Sequence, residues 1–415
     1  MNPRYWQLRL ETTAATLLQA MGRRFPALDF YRFQCQVHPR TWGRHESILR
    51  WALSQPTPQP RQFLEADRPD DSPLIRQTRQ LLRETWRQFH DKWKSQPGPR
   101  VAVHLPPAHL SPGGFSLFSN LISGLEFIGI STAPIPWDAA PGLERWLDEF
   151  QPTVLLTSDH PDYLDRLDWP AIERHRRRTG MQLGLTAADD DPALEQSRID
   201  WARRHELSFY YSFRCPEYVQ RHYQAAQAAG FAVHDVEFGA NPLIYLPLAG
   251  VERDLPYVFL ASANRDKWDR YFRYLPPLVS KYPGLIDGPG WRCVKHWSAR
   301  PQHAALYARA RVAINLHIDV SIDSESELNE RTYILAACGA PQLIDLPRLL
   351  FKRFSEGCFF VADQPRDYLP QFERMLADPA ESQRRALQAQ REVYARHTVF
   401  HRADHLVRQI MAASR

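Results

Sequence analysis

Several polar stretches interrupt apolar runs in this chain and carry side chains able to hold an anion or move a proton. Ser262, Asn264 and Arg265 follow the run YVFLAS and precede a helical pattern. A planar guanidinium at such a turn grips two phosphate oxygens at once, while a serine cap beside a surface arginine is the plainer reading of the same residues. Asn315 and His317 close the run VAINLHI, a polar loop follows, and Glu330 and Arg331 fall in the first turn of a helix that begins near Asn329. An arginine there opposes the helix dipole, which marks Arg331 for a bound anion rather than a local role. Cys338 and Gly339 end that helix, Gly339 as a left-handed cap. Gly113 and Gly114 precede another helix, where they either let a ligand approach the backbone or form a plain turn. His104 ends the run VAVHL and is the positional candidate for a general base, because an imidazole of near-neutral pKa takes a hydroxyl proton; a structural hydrogen-bonding role is its alternative. Asp159 and His160, after TVLLTS, come next. Asp189, Asp190 and Asp191 invite a metal reading, but a run ending in Pro192 is more simply a solvated turn.

These loops need strands to present them. Residues up to about 98 alternate helical stretches with proline-containing connectors, and Leu81, Leu82, Trp86, Phe89 and Trp93 recur at three- and four-residue intervals, the spacing of one helix face. From residue 99 short apolar runs alternate with amphipathic helices: VAVHL, GISTAPI, TVLLTSD, MQLGLT, HELSFYYSF and FAVHD. A second alternating series holds YVFLAS, GLIDG, CVKHW, VAINLHI, APQLID and CFFVA, with predicted helices at 267–281, 302–309, 329–338, 347–354 and 367–377, and a tail helix over 381–414. Strand and helix alternation of this kind implies parallel sheets with helical crossovers. The fold class read from this pattern is α/β with two Rossmann-like domains: a helical extension over 1–98, a first domain over 99–240, a second over 241–395, and a closing helix over 396–415. Open parallel sheets bind their ligands at the strand C-termini, where the singled-out loops fall.

Length and composition agree. A chain of 415 residues is long enough for two or three domains, each with its own core. Its 52 basic and 47 acidic residues are mixed along the chain, which argues against nucleic-acid binding. Cys35, Cys215, Cys293, Cys338 and Cys358 are odd in number and scattered, so neither a disulfide framework nor a zinc site fits, and a reducing cytoplasm does. No stretch approaches the roughly 18 apolar residues of a membrane span. The basic run ERHRRR, residues 173–178, reads either as a solvated helix face or as a contact for anionic lipid head groups at a peripheral membrane site.

The stretch from about residue 256 to 402 resembles the C-terminal domain of glycosyltransferases of the two-Rossmann GT-B architecture, in particular the CgeB-like group. The resemblance rests on the loop after FLAS with Arg265, the turn GLIDGPGW, His296, Leu306 and Tyr307, AINLH, NERTYILAACGAPQLID and the closing YARHTVFHRADHLV. It implies a nucleotide-sugar bound in the second domain as substrate, no cofactor, an acceptor on the first domain near Gly113 and Gly114, and transfer without a metal. Position by position, Ser262, Arg265 and Arg331 become phosphate or leaving-group contacts, His296 part of the nucleotide pocket, and Asn315 and His317 the lining of the donor cleft; Asn264, between Ser262 and Arg265 in the same loop, is a further donor-binding candidate. His397, Phe400 and Arg402 become structural residues of a closing helix that braces the first domain. Many relatives carry R-x-F-E-x-x-A-C-G, in which the acid commonly holds the donor; here that position is Ile334, so either Glu330 or another acid such as Glu327 takes the role, or donor binding is altered or lost. Two alternatives share the architecture: a sugar-nucleotide epimerase and a non-catalytic nucleotide- or glycan-binding protein.

Overall fold

A computed structural model describes residues 44–187, 196–263, 267–291, 298–323 and 325–413. The chain divides into two compact units: one takes Glu84–Asn241, Glu325–Glu327 and Ala395–Arg415, and the other takes Pro242–Ser324, Leu328–Tyr394 and the described part of Met1–Arg83. The predicted extension is therefore shared, residues 44–83 grouping with one unit and 84–98 with the other.

The first unit is built on strands β1 (Val101–His104), β2 (Thr132–Ile135), β3 (Val154–Ser158), β4 (Gln182–Thr186), β5 (Phe209–Ser212) and β6 (Ala232–Asp235). They form one parallel sheet in the order β2-β1-β3-β4-β5-β6. β1, β3 and β5 are buried along their whole length, which is why they read as continuous apolar runs rather than alternating ones. The helix Pro112–Phe127 buries Phe118, Leu121, Ile122 and Leu125, and Gly129, at φ +90°, takes the left-handed turn after it.

In the same unit the helix Val399–Ala413 lies against Pro112–Phe127. Phe400 stacks on Phe127 at 3.9 Å between centroids, and a Cβ on Gly124 would stand 2.7 Å from the Val399 carbonyl oxygen. The single tail helix expected from periodicity is two, Pro379–Arg396 and Val399–Ala413. Between them the backbone leaves the helix to pair with Ala240, whose N–H donates to the His397 carbonyl while its own carbonyl accepts from Val399. Arg402 donates to the Phe238 carbonyl and Phe400 is fully buried, both contributions to packing.

The other unit is built on β7 (Leu255–Leu260), β8 (Leu285–Asp287), β9 (Ala310–Asn315), β10 (Gln342–Ile344) and β11 (Phe360–Val361), parallel throughout in the order β11-β10-β9-β7-β8. Tyr257, Phe259, Ile286, Ile314, Leu343, Tyr368 and Phe372 form the centre of its core. The predicted helix over 267–281 is broken into Trp268–Tyr274 and Pro276–Lys281, because two consecutive prolines cannot continue the backbone ladder. The predicted strand CVKHW lies outside the described residues. Among the described residues no helix is long and apolar enough to cross a membrane.

Because the neighbour of Gly124 is backbone, Gly124→Val is expected to lower stability by about 2 kcal/mol or more. Chemical denaturation checks this; an unchanged midpoint and slope would show that the two helices are not in close contact.

Candidate active site

The strand exits of the second sheet are joined beyond the sheet itself. After β7 and β8 the two chains run on side by side, Ala261 N–H donating to the Asp287 carbonyl at 2.9 Å and Ala263 N–H to that of Pro289 at 2.8 Å. Only glycine fits opposite: Gly288 and Gly290 have φ of +135° and +85°, and a Cβ on Gly288 would stand 2.3 Å from the Ala261 oxygen. The Trp291 indole N–H donates to the Ala261 carbonyl at 2.7 Å and closes the turn. This pairing buries Ala261 and Ala263 and leaves Ser262 half-buried between them. The Ser262 hydroxyl accepts from the Lys267 ammonium at 3.0 Å, and its carbonyl accepts from the Tyr271 hydroxyl at 3.3 Å.

At the exits of β9 and β10 a buried polar cluster fixes the next helix. Asp345, fully buried, accepts from the His317 backbone N–H at 2.7 Å, meets His317 Nδ1 at 2.6 Å and accepts from Arg270 at 2.7 Å. Burial works to raise the Asp345 carboxyl, but the His317 imidazole and the Arg270 guanidinium outweigh it and hold the group below its ordinary value of 3.8. His317 Nε2 lies 3.4 Å from the Thr332 hydroxyl. Asn315 donates to Thr332 at 2.9 Å and accepts from Asn329, also at 2.9 Å. Asn329 in turn caps the helix Glu330–Ala337 by accepting from Thr332 N–H at 3.0 Å.

The expectation that Asn315 and His317 line a donor cleft therefore does not carry over. They are 0% and 2% exposed, and both polar ends of each side chain are engaged, so their work is to orient the first turn of that helix. Arg331 sits in that first turn. Its Nε donates to the Leu260 carbonyl at 2.9 Å, which carries the guanidinium over the Phe259 ring to the exit of β7. Glu330 is half-buried one turn before Ile334 on the same helix face, and Ile334 is buried. Glu327, the other acid considered, belongs to the first unit and is paired with Arg214. Asn264, Arg265, His296 and the three aspartates 189–191 lie outside the described residues. Lys267, Asp345 and Asp287 were not singled out by sequence reading. Lys267 had a signal, a cation closely following Arg265, whereas the two aspartates look like ordinary turn residues after short strands.

In the first unit, His104 is fully buried. Its Nε2–H donates to the Trp137 carbonyl at 3.2 Å, leaving Nδ1 to accept from the Thr157 hydroxyl at 3.1 Å. Burial pushes it down to about 4. A base must present a lone pair to its substrate, and this imidazole has none to present, so His104 is a fixed joint between strand exits and not the expected base. Asp159 is paired with Arg198 at 2.7 Å, and His160 Nδ1 accepts from Asp162 N–H, capping a short helix. Gly114 is hemmed in, since a Cβ would stand 2.5 Å from the Tyr163 hydroxyl; nothing lies within 4 Å of a Cβ on Gly113. The run ERHRRR is largely occupied. Arg174 forks onto Glu144, Arg178 pairs with Asp148, and Arg176 donates to the carbonyls of Met181, His205 and Glu206.

Two parallel Rossmann-like sheets with helices around them are the GT-B fold. Residues 270–408 match the family model described as glycosyl transferase-like. Among solved structures, a glycosyltransferase from Rickettsia africae is similar at 8% identity and a TM-score of 0.51, covering 76% of this chain and 98% of that one. Sucrose-phosphate synthase from Thermosynechococcus elongatus is similar at 12% identity and 0.47, covering 75% and 99%. The T4 phage BGT, solved with its UDP-glucose substrate, is similar at 11% and 0.49, covering 75% and 98%. The Rickettsia likeness speaks for the fold. No curated protein matches the chain by sequence.

A carboxylate held below its unfolded value contributes stability above that unfolded value and loses it as pH falls through the folded one. Asp345→Asn is therefore expected to cost about 3 kcal/mol or more at pH 7, with the gap from the parent protein closing as pH falls below about 4. Thermal melts from pH 7 to pH 3 check this; a constant gap would show that Asp345 is not ionised in the folded protein.

Proposed function

We propose that the chain transfers a sugar from a nucleotide-sugar donor to an acceptor without a metal ion, the diphosphate leaving group being neutralised at the exit of β7. One observation carries the reading: two cations from different elements converge on the same short stretch, Arg331 on the Leu260 carbonyl and Lys267 on the Ser262 hydroxyl. Fixed positive groups of this kind stabilise the charge that develops as the bond from the sugar's anomeric carbon to the phosphate oxygen breaks. Arg265, Asn264 and His296 join this site by sequence resemblance. Glu330 takes the place of the acid missing at Ile334 and accepts from donor hydroxyls. Asn315, His317 and Asp345 act behind the surface by orienting the helix Glu330–Ala337.

The acceptor side is assigned to the first sheet, where Gly113 stands in the opening turn of Pro112–Phe127. Its glycine is not required by packing, since nothing lies within 4 Å of a Cβ there. Gly113→Ala is expected to leave stability unchanged while raising the acceptor KM by about threefold or more. An unchanged KM removes Gly113 from the acceptor side.

A panel of UDP-, GDP- and dTDP-sugars, read out by release of the nucleoside diphosphate with and without EDTA, tests the main reading. One donor should support release that EDTA leaves intact. Arg331→Ala, Lys267→Ala and Arg265→Ala should each lower kcat/KM at least about tenfold, or about 1.4 kcal/mol. Full activity in all three variants would place the diphosphate elsewhere. Isomerisation of the donor sugar in the absence of acceptor would favour the epimerase reading.

A further inference from the structure

We propose that the N-terminal helix over residues 44–54 is a built-in brace of the donor side, acting through Asp287 as a positioning residue; this rests on the donor assignment above. Asp287 ends β8 and is fully buried, yet among the described residues no lysine or arginine is paired with it. One carboxylate oxygen meets His45 Nε2 at 3.0 Å, and the other accepts from the Ser298 N–H at 2.8 Å and the Ser298 hydroxyl at 2.5 Å. An apolar residue would satisfy the core at that position with no desolvation cost, so the use of the carboxylate lies in what it holds.

It holds the start of the helix Arg300–Ala308. Ser298 stands two residues before that helix. His303 and Tyr307 lie one turn apart on the helix, with ring centroids 6.3 Å apart, and both feel the charge of Arg331. The other end of the same helix is held from the same source: Trp51 lies under the Arg309 guanidinium, 4.7 Å from its ring centroid, and Arg309 is the residue that caps the helix C-terminus. His45, through Asp287 and Ser298, and Trp51, through Arg309, thus reach both ends of one donor-side helix, and Ile48, Leu49 and Ala52 on the same segment are buried. The main chain of Asp287 also accepts from Ala261 at the exit of β7. One residue therefore joins the brace, the helix and the strand exit where Arg331 is anchored. Support of this kind acts on the geometry of a site whose contacting groups lie elsewhere.

The test uses the full-length chain and compares His45→Ala, His45→Gln and Asp287→Asn, with two readouts. In His45→Ala the donor KM should rise about tenfold while kcat stays within about threefold, since small misplacements of binding groups are felt strongly. His45→Gln, which keeps an N–H donor near the Nε2 position, should recover most of the loss. His45→Ala combined with Asp287→Asn should be no worse than the more affected single variant, because the two residues act through one contact. The second readout is amide exchange over residues 300–308, which should quicken in His45→Ala and return toward the parent rate in His45→Gln, independently of any donor. Unchanged exchange in a folded His45→Ala protein overturns the brace. Failure of the parent protein to bind UDP, GDP or dTDP overturns the donor assignment, and the exchange result still decides the brace.

Discussion

Parallel strands deliver all their C-termini to one edge, where backbone and side-chain polar groups must find partners without the help of a neighbouring hairpin. In the second sheet two buried carboxylates meet much of that demand. Asp345 gathers the exits of β9 and β10 with Arg270 from the helix after β7, and Asp287 gathers the exit of β8 with His45 and Ser298. Neither carboxylate reaches solvent. Burial works to raise both carboxyls, and both are nonetheless held below the ordinary value, Asp287 by hydrogen bonds to His45 and Ser298 and Asp345 by His317 and Arg270.

This arrangement separates support from chemistry. Asn315, His317, Thr332 and the two aspartates are buried and hydrogen-bonded to one another or to neighbouring backbone and side chains, so they fix the backbone at the strand exits. The groups proposed to meet the leaving diphosphate, Arg331, Ser262 and Lys267, are half-buried, with Arg331 held on the Leu260 carbonyl and Lys267 on the Ser262 hydroxyl. The same logic explains Ile334. Its side chain is buried, and Glu330, the acid proposed in its place, lies one turn nearer the helix start, where the helix dipole favours a negative side chain. In the first unit His104 repeats the pattern as a buried joint between strand exits rather than a reactive group.

The alternation of apolar runs with helical periodicity was sufficient to read two parallel sheets, because strands buried on both faces appear as short uninterrupted apolar stretches. It was also sufficient to place the loops that carry Ser262 and Arg331, since the exits follow directly from the strands. Periodicity did not show that the tail breaks at His397 and Thr398, because the interruption is caused by pairing with Ala240, far away in the chain.

What the sequence by itself determined is the alternation of strands and helices in two parallel-sheet domains and the presence of cations at strand exits, which follow from local residue pattern and neighbouring loops. What only the tertiary structure decided is which polar residues face inward. Asn315, His317 and His104 have the residue types of ligand contacts, and their burial depends on partners 14 to 53 positions away. The use of the N-terminal helix is the extreme case, since His45 meets Asp287 across 242 positions. A hydrogen bond between groups so far apart leaves no trace in local spacing, because it exists only once the sheet has brought the two ends together.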